Sequence, residues 1–146
     1  MTDADVRLWI YRHFVDHGRA PSPNEIGRAF GLTPSAVGGV LQRLQDEADA
    51  IVLLPDSSYL WMAEPFSAVP TSYPVVSGES SWWGNCIWDA LAILALVGRD
   101  GVIDTVCPES GESLRVEVVA GHLVPSDAVV HYLVPASEWW RSIGFT

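Results

Sequence analysis

Apolar side chains at Val6, Trp9, Ile10 and Phe14 recur every three or four residues between Asp3 and His17, the period of an amphipathic helix. Gly18 marks its end. Ser22-Pro23-Asn24-Glu25 has the form of a helix start: Ser22 supplies a cap, Pro23 suits the first turn, and Glu25 lies three residues beyond the cap. Ile26, Ala29 and Phe30 give this second helix an apolar face, and Gly31 stops it. Thr33-Pro34-Ser35-Ala36 opens a third, with Val37, Val40, Leu41 and Leu44 along one side. Ile51 to Leu54, a turn at Pro55-Asp56-Ser57-Ser58, and Tyr59 to Met62 then predict a hairpin. Three helices followed by a hairpin make a winged-helix-like helical subdomain over residues 1–62.

Residues 63–81 read as a connector, because Pro65, Pro70 and Pro74 forbid a long helix; Tyr73 to Val76 predicts a short edge strand within it. The apolar run from Trp82 through Leu91 to about Val97 predicts a helix stopped by Gly98. Val102 to Cys107 and Leu114 to Val119 predict two strands joined by Pro108-Glu109-Ser110-Gly111. Ala128 to Val134 predicts a third, and Pro135-Ala136-Ser137-Glu138 starts a short helix holding Trp139 and Trp140. The expected fold class is α/β (α+β), with a small mixed sheet over residues 82–146 that carries the helix of Cys86.

Composition narrows the function. A chain of 146 residues with 49% hydrophobic side chains can bury a core as one domain or two very small ones. Its net charge is −10, and all 8 basic residues are arginine. Arg43 is the single basic residue of the third helix, which runs into Asp46-Glu47-Ala48-Asp49. A DNA reader needs a basic face there, so the helical part reads as a packing module and free nucleic acid as a poor partner. Ala90 to Val97 is far shorter than the roughly 20 residues of a membrane span. Acidic residues stand where a secretory leader has basic ones, so the expected location is cytoplasmic.

Two cysteines make no disulfide framework, which turns attention to each thiol. With Asn85 as helix cap, Cys86 falls in the first turn, where the helix dipole favours a lowered thiol pKa. Asp89 follows three residues on, on the same face, and burial beside a thiolate raises a carboxyl pKa. Trp82, Trp83 and Trp88 are candidates for the wall of a dry site around that pair. The plainer reading stands beside it: cysteine is among the most buried residue types, and an acid in a first helical turn complements the dipole. Cys107 reads as a structural thiol or as a partner for Cys86. His122, read as a loop residue, and His131, read as a strand residue, have no ligand spacing to each other or to the cysteines. No phosphate-loop, dinucleotide, zincin or nucleophile-elbow motif is present.

The order of Cys86-Ile87-Trp88-Asp89-Ala90-Leu91, a strand ending at Cys107, Ser110-Gly111 and Val116-Glu117-Val118 resembles the alkylmercury (organomercurial) lyase family, most sharply from Trp82 to Val118. The resemblance implies that Cys86 binds mercury as a thiolate, that Asp89 carries the proton delivered to the leaving carbon, and that Cys107 is structural. It implies no required cofactor: mercury(II) is substrate and product ligand, and soft thiolates suit it. The family's second catalytic cysteine falls at about Thr146, and no cysteine follows Cys107, so weak or absent turnover is expected of this chain as a shortened relative. Cys86, Asp89 and Cys107 together are the candidate metal ligands. The rival readings are a non-catalytic protein binding a soft metal or small ligand in the same pocket, a winged-helix regulator, and a Cys86 nucleophile acting on a different small molecule. An open sheet edge would suit a homodimer.

Overall fold

Thr2 opens α1 (Asp3–His17): its hydroxyl accepts from the Asp5 N–H while the Asp5 carboxylate accepts from the Thr2 N–H. Gly18 closes the helix in the left-handed region at φ 67°, where a residue without Cβ is unstrained. Ser22 and Glu25 form the same reciprocal box at the start of α2 (Pro23–Phe30), and Thr33 caps α3 (Pro34–Ala48) through a bond from the Ala36 N–H. The structure, a computed structural model, describes residues 1–48 and 51–144. Val6, Ile10, Phe14, Ile26, Val37, Val40, Leu41 and Leu44, chiefly residues of the anticipated apolar faces, are buried against one another. Arg43 of α3 is bonded to Asp3 at 2.7 and 2.9 Å.

The hairpin follows as β1 (Val52–Leu53) and β2 (Leu60–Ala63), and β3 (Phe66–Ser67) extends it to a three-stranded antiparallel sheet. The second sheet has the order β5-β4-β6-β7-β8, with β4 (Pro74–Ser77), β5 (Ser80–Trp83), β6 (Gly101–Val106), β7 (Ser113–Val119) and β8 (His122–Leu123), all antiparallel. Its core face is covered by α4 (Ile87–Val97), whose Ala90, Ile93 and Leu94 pack with Val75, Trp82 and Ile103. A bridge between Phe66 and Gly84 joins the two sheets, and Phe14 stacks on Phe66 with ring centres 5.1 Å apart.

Four expectations are corrected here. Residues 63–81 are not an irregular connector: they supply β3, β4 and the start of β5, because proline is tolerated as the first residue of a strand, as Pro74 is in β4, and the Val75 side chain that follows it is fully buried. β4 is internal to its sheet rather than an edge, lying between β5 and β6. Trp82 and Trp83 belong to β5, not to the helix, which starts at Ile87. Ala128 to Val134 forms no strand, with Val129 and Leu133 exposed and β8 ending the sheet; His131 therefore lies outside any strand, whereas His122 lies in β8. Ala136–Arg141 is a short 3-10 helix, as anticipated in place if not in type. No helix among the described residues is long and apolar enough to cross a membrane.

Candidate active site

The site is built where β5 turns into α4. Gly84 makes that turn possible: a Cβ there would stand 2.6 Å from the Ala90 nitrogen and 2.8 Å from its Cα, so the chain crosses the helix at backbone contact. The turn is tied on both sides. Gly84 N–H donates to the Tyr73 carbonyl at 3.0 Å, and the Thr71 hydroxyl donates to the Gly84 carbonyl at 2.6 Å. Asn85 then reaches back, its Nδ2 donating to the Pro65 carbonyl at 3.4 Å.

Cys86, rather than Asn85, is the N-cap of α4. Its backbone is extended, and its Sγ accepts from the Asp89 N–H at 3.5 Å. The sulfur thus takes the place of the oxygen a capping residue ordinarily offers. The two residues predicted from their spacing therefore share a hydrogen bond, from the Asp89 N–H to the Cys86 sulfur, and half-buried surroundings.

Burial governs both proton affinities. It pushes the Asp89 carboxyl up, against the hydrogen bonds from Asn85 and Cys86 that favour the anion. It also pushes the Cys86 thiol up; the helix N–H groups of Asp89 and Trp88 oppose this, and the Asp89 charge adds to it. The lowered thiol pKa expected of a helix N-terminus is thus overturned: desolvation and a neighbouring carboxylate outweigh the dipole.

Three further groups come to the pair from other segments. Glu64, at the end of β2, has its carboxyl raised by burial and by the Asp89 charge. Tyr73, before β4, and Tyr132, in the extended segment after β8, have phenols raised by burial and by the charge of Cys86, with Asp89 adding to it at Tyr132. Tyr132 is held by Trp139, with ring centres 5.0 Å apart.

The tryptophans do not form a common wall. Trp82 is 2% exposed in the core, its indole N–H bonded to the Phe14 carbonyl at 2.8 Å. Trp83 is its neighbour in the strand, so it points to the other face, where it lines an open groove of about 710 Å³ with Asp104 and Arg115. Trp88 is 61% exposed on α4. Cys107 is also placed elsewhere, at the tip of the β6–β7 hairpin. Its thiol is lowered by the Ser110 hydroxyl and by the backbone N–H groups of Ser110 and Glu109, and Cys86 is not among the charges acting on it. Among the described residues no three His, Cys, Asp or Glu side chains gather to hold a metal ion, so the triple ligand set of Cys86, Asp89 and Cys107 does not form. The Thr146 position, aligned with the family's second cysteine, lies outside the described residues.

The family model for MerB, alkylmercury lyase, matches residues 66–146. Curated alkylmercury lyases of Bacillus cereus and Clostridium butyricum are 26% identical over 137 residues, covering 87% of this chain and 58% of theirs. The chain thus spans little more than half the length of those relatives. The crystal structure of the mercury-bound form of MerB2 has the same fold, with a TM-score of 0.66 at 22% identity over 86% of this chain and 59% of that one. With more than half of its residues matched by the family model, Cys86 and Asp89 among them, the chain belongs to the alkylmercury lyase family.

Proposed function

We propose that the chain cleaves carbon–mercury bonds by protonolysis, with Cys86 as the mercury ligand and Asp89 as the proton carrier. The bond from the Asp89 N–H to the Cys86 sulfur, which sets thiol and carboxyl one helical turn apart at the start of α4, carries this reading. Burial raises both proton affinities, so the carboxyl readily takes the thiol proton when a soft electrophile reaches the sulfur.

The organomercurial arrives as R–Hg–X, with X a thiolate of a small thiol in solution. A bond forms between Cys86 Sγ and mercury, and the thiol proton passes to the Asp89 carboxylate. Sulfur donation from Cys86 and X makes the bound carbon basic. Asp89 then gives its proton to that carbon, the C–Hg bond breaks, and R–H leaves. The net change is R–Hg–X plus Cys86–SH to R–H plus Cys86–S–Hg–X, and a second solution thiol frees Cys86. Half-burial suits the chemistry twice: it keeps the thiol protonated until mercury binds, and it makes the carboxylic acid easy to form. A relative solved with mercury bound supports mercury(II) as the product ligand.

The test is release of benzene from a phenylmercury salt in excess small thiol. Wild type releases benzene in proportion to time, and Cys86→Ser and Asp89→Asn lower the rate by about 100-fold or more. Equal trace release from wild type and Cys86→Ser overturns the reading. One observation favours a second reading, binding without turnover: Cys107 lies away from Cys86, which leaves the site a single cysteine among the described residues. Stoichiometric tryptophan quenching by phenylmercury with no benzene released would establish it.

A further inference from the structure

Away from the Cys86 site, the last turns of α1 carry two histidines four residues apart, His13 and His17. That spacing puts both on one face of the helix, and their ring centres lie 4.4 Å apart with the planes inclined at 53°. His17 is exposed, whereas His13 is 8% exposed. The His13 ring packs on Trp9 at 5.2 Å, and Trp9 meets Phe30 of α2 edge to face at 5.8 Å. In this packed setting the His13 Nε2 is buried with no hydrogen-bond partner. A buried polar nitrogen left in that state costs stability and calls for a reason.

We propose that His13 and His17 form a two-histidine site for a borderline divalent transition-metal ion, of the class of nickel(II), copper(II) and zinc(II). Imidazole nitrogen suits these ions. An ion that takes one nitrogen from each ring, at about 2.0–2.1 Å, needs those nitrogens about 3–4 Å apart. Rings with centres 4.4 Å apart reach that separation by rotation about their own side-chain bonds, with no change in the helix. The ion also supplies what the buried ring lacks, since a nitrogen lone pair without a donor is satisfied by a metal. Asp16 adjoins His17 in sequence, and the net charge of −10 favours a cation over an anion. Among the described residues no third His, Cys, Asp or Glu side chain completes a metal cluster, so water fills the remaining positions and the affinity is modest. Softness separates this site from the proposed mercury site: thiolate sulfur takes mercury, and the imidazole pair takes the borderline ions. The inference is independent of the lyase reading.

Nickel(II) chloride titrated into the whole chain, read by the ring-proton NMR signals of its histidines, tests this without any mercurial. The chain has 4 histidines, so His122 and His131 serve as internal controls. Paramagnetic nickel is expected to broaden the His13 and His17 signals together at substoichiometric amounts, to leave those of His122 and His131 sharp, and to be reversed by EDTA. His17→Gln changes an exposed side chain and keeps His13 in place. In that variant the His13 signals require about tenfold more nickel or greater, because a chelating pair has become a single ligand. The thermal midpoint rises with nickel in wild type and not in His17→Gln. The proposal is overturned if millimolar nickel leaves the pair sharp, if all four histidines broaden alike, or if His13 broadens as readily in His17→Gln as in wild type. The wild-type titration with its two internal controls decides the matter even if the variant does not fold.

Discussion

At Cys86 two electrostatic effects oppose each other, and the structure shows which one dominates. The first turn of α4 stabilises a thiolate through its N–H groups, while half-burial and the adjacent Asp89 carboxylate penalise it more. Cys107 has the reverse balance: it is little buried, and its thiolate is favoured by the Ser110 hydroxyl and the N–H groups of the hairpin turn. At pH 7.5 Cys107 therefore carries the larger thiolate fraction, although Cys86 is the proposed mercury ligand. Iodoacetamide at that pH alkylates Cys107 first, as read by peptide mass spectrometry. Faster labelling of Cys86 would show that the helix terminus prevails after all. In the proposed reaction soft mercury reverses this order, because Asp89 accepts the proton that binding releases. His13 is a second residue governed by burial: it is 8% exposed, its Nε2 has no partner, and burial and then His17 hold its pKa down. The unfolded chain then binds a proton that the folded chain resists. Stability is full above the unfolded value of about 6.5 and is lost as pH falls below it toward the depressed folded value. Urea midpoints measured between pH 7.5 and 5 fall for wild type, and His13→Gln flattens that part of the fall.

Among the elements, the β5–α4 turn sets the site, and Gly84 sets the turn. Any side chain there meets the Ala90 backbone, so Gly84→Ala must push α4 away from β5 and carry Cys86 with it. The expected cost is about 1–3 kcal/mol in the urea midpoint, with loss of mercurial binding exceeding the loss of fold at low urea. An unchanged midpoint would mean that the close approach is not needed. The elements that were legible beforehand are those whose signals are local. Ser22 with Glu25 and Gly18 after His17 mark ends by bonds made within a few residues, and the spacing of Cys86 and Asp89 is itself one helical turn. The misread elements depended on distant partners. Trp82 and Trp83 look like the opening of an apolar helix until β4 pairs with them. Ala128 to Val134 has the composition of a strand, yet it is not paired into the sheet. The same distinction divides the site. Asp89 is legible from Cys86, whereas Glu64, Tyr73 and Tyr132 arrive from three other segments, and Asn85 has the composition of the cap that Cys86 supplies. No spacing rule links residues brought together only by the two sheets meeting at Phe66 and Gly84.

On the scale of the whole molecule, the helical part and the large sheet are expected to unfold as one cooperative body, because they share a core. Trp82 is the tie. It is rooted in β5, its ring lies in the common core, and its N–H bonds the Phe14 carbonyl of α1, which already accepts from Gly18 at the helix end. Gly18 itself lies against the Ser81 carbonyl so closely that a Cβ would collide with it. Phe14 stacks on Phe66 of β3, and Phe66 reaches Gly84 at the active-site turn. A path of direct contacts thus runs from α1 through the small sheet to Cys86. This predicts a single unfolding transition, in which far-ultraviolet circular dichroism, dominated by the N-terminal helices, and tryptophan fluorescence, weighted to the sheet, share one midpoint. Trp82→Ala removes the largest buried ring of that junction, and the expected loss is about 3–5 kcal/mol, felt equally by both probes. Trp82→Phe loses the bond to Phe14 but keeps part of the packing, so it costs less than Trp82→Ala. Two separated midpoints in wild type, or a Trp82→Ala loss confined to the fluorescence signal, would mean that the helices fold independently of the sheet. The N-terminal part would then have no role in holding the turn at Cys86.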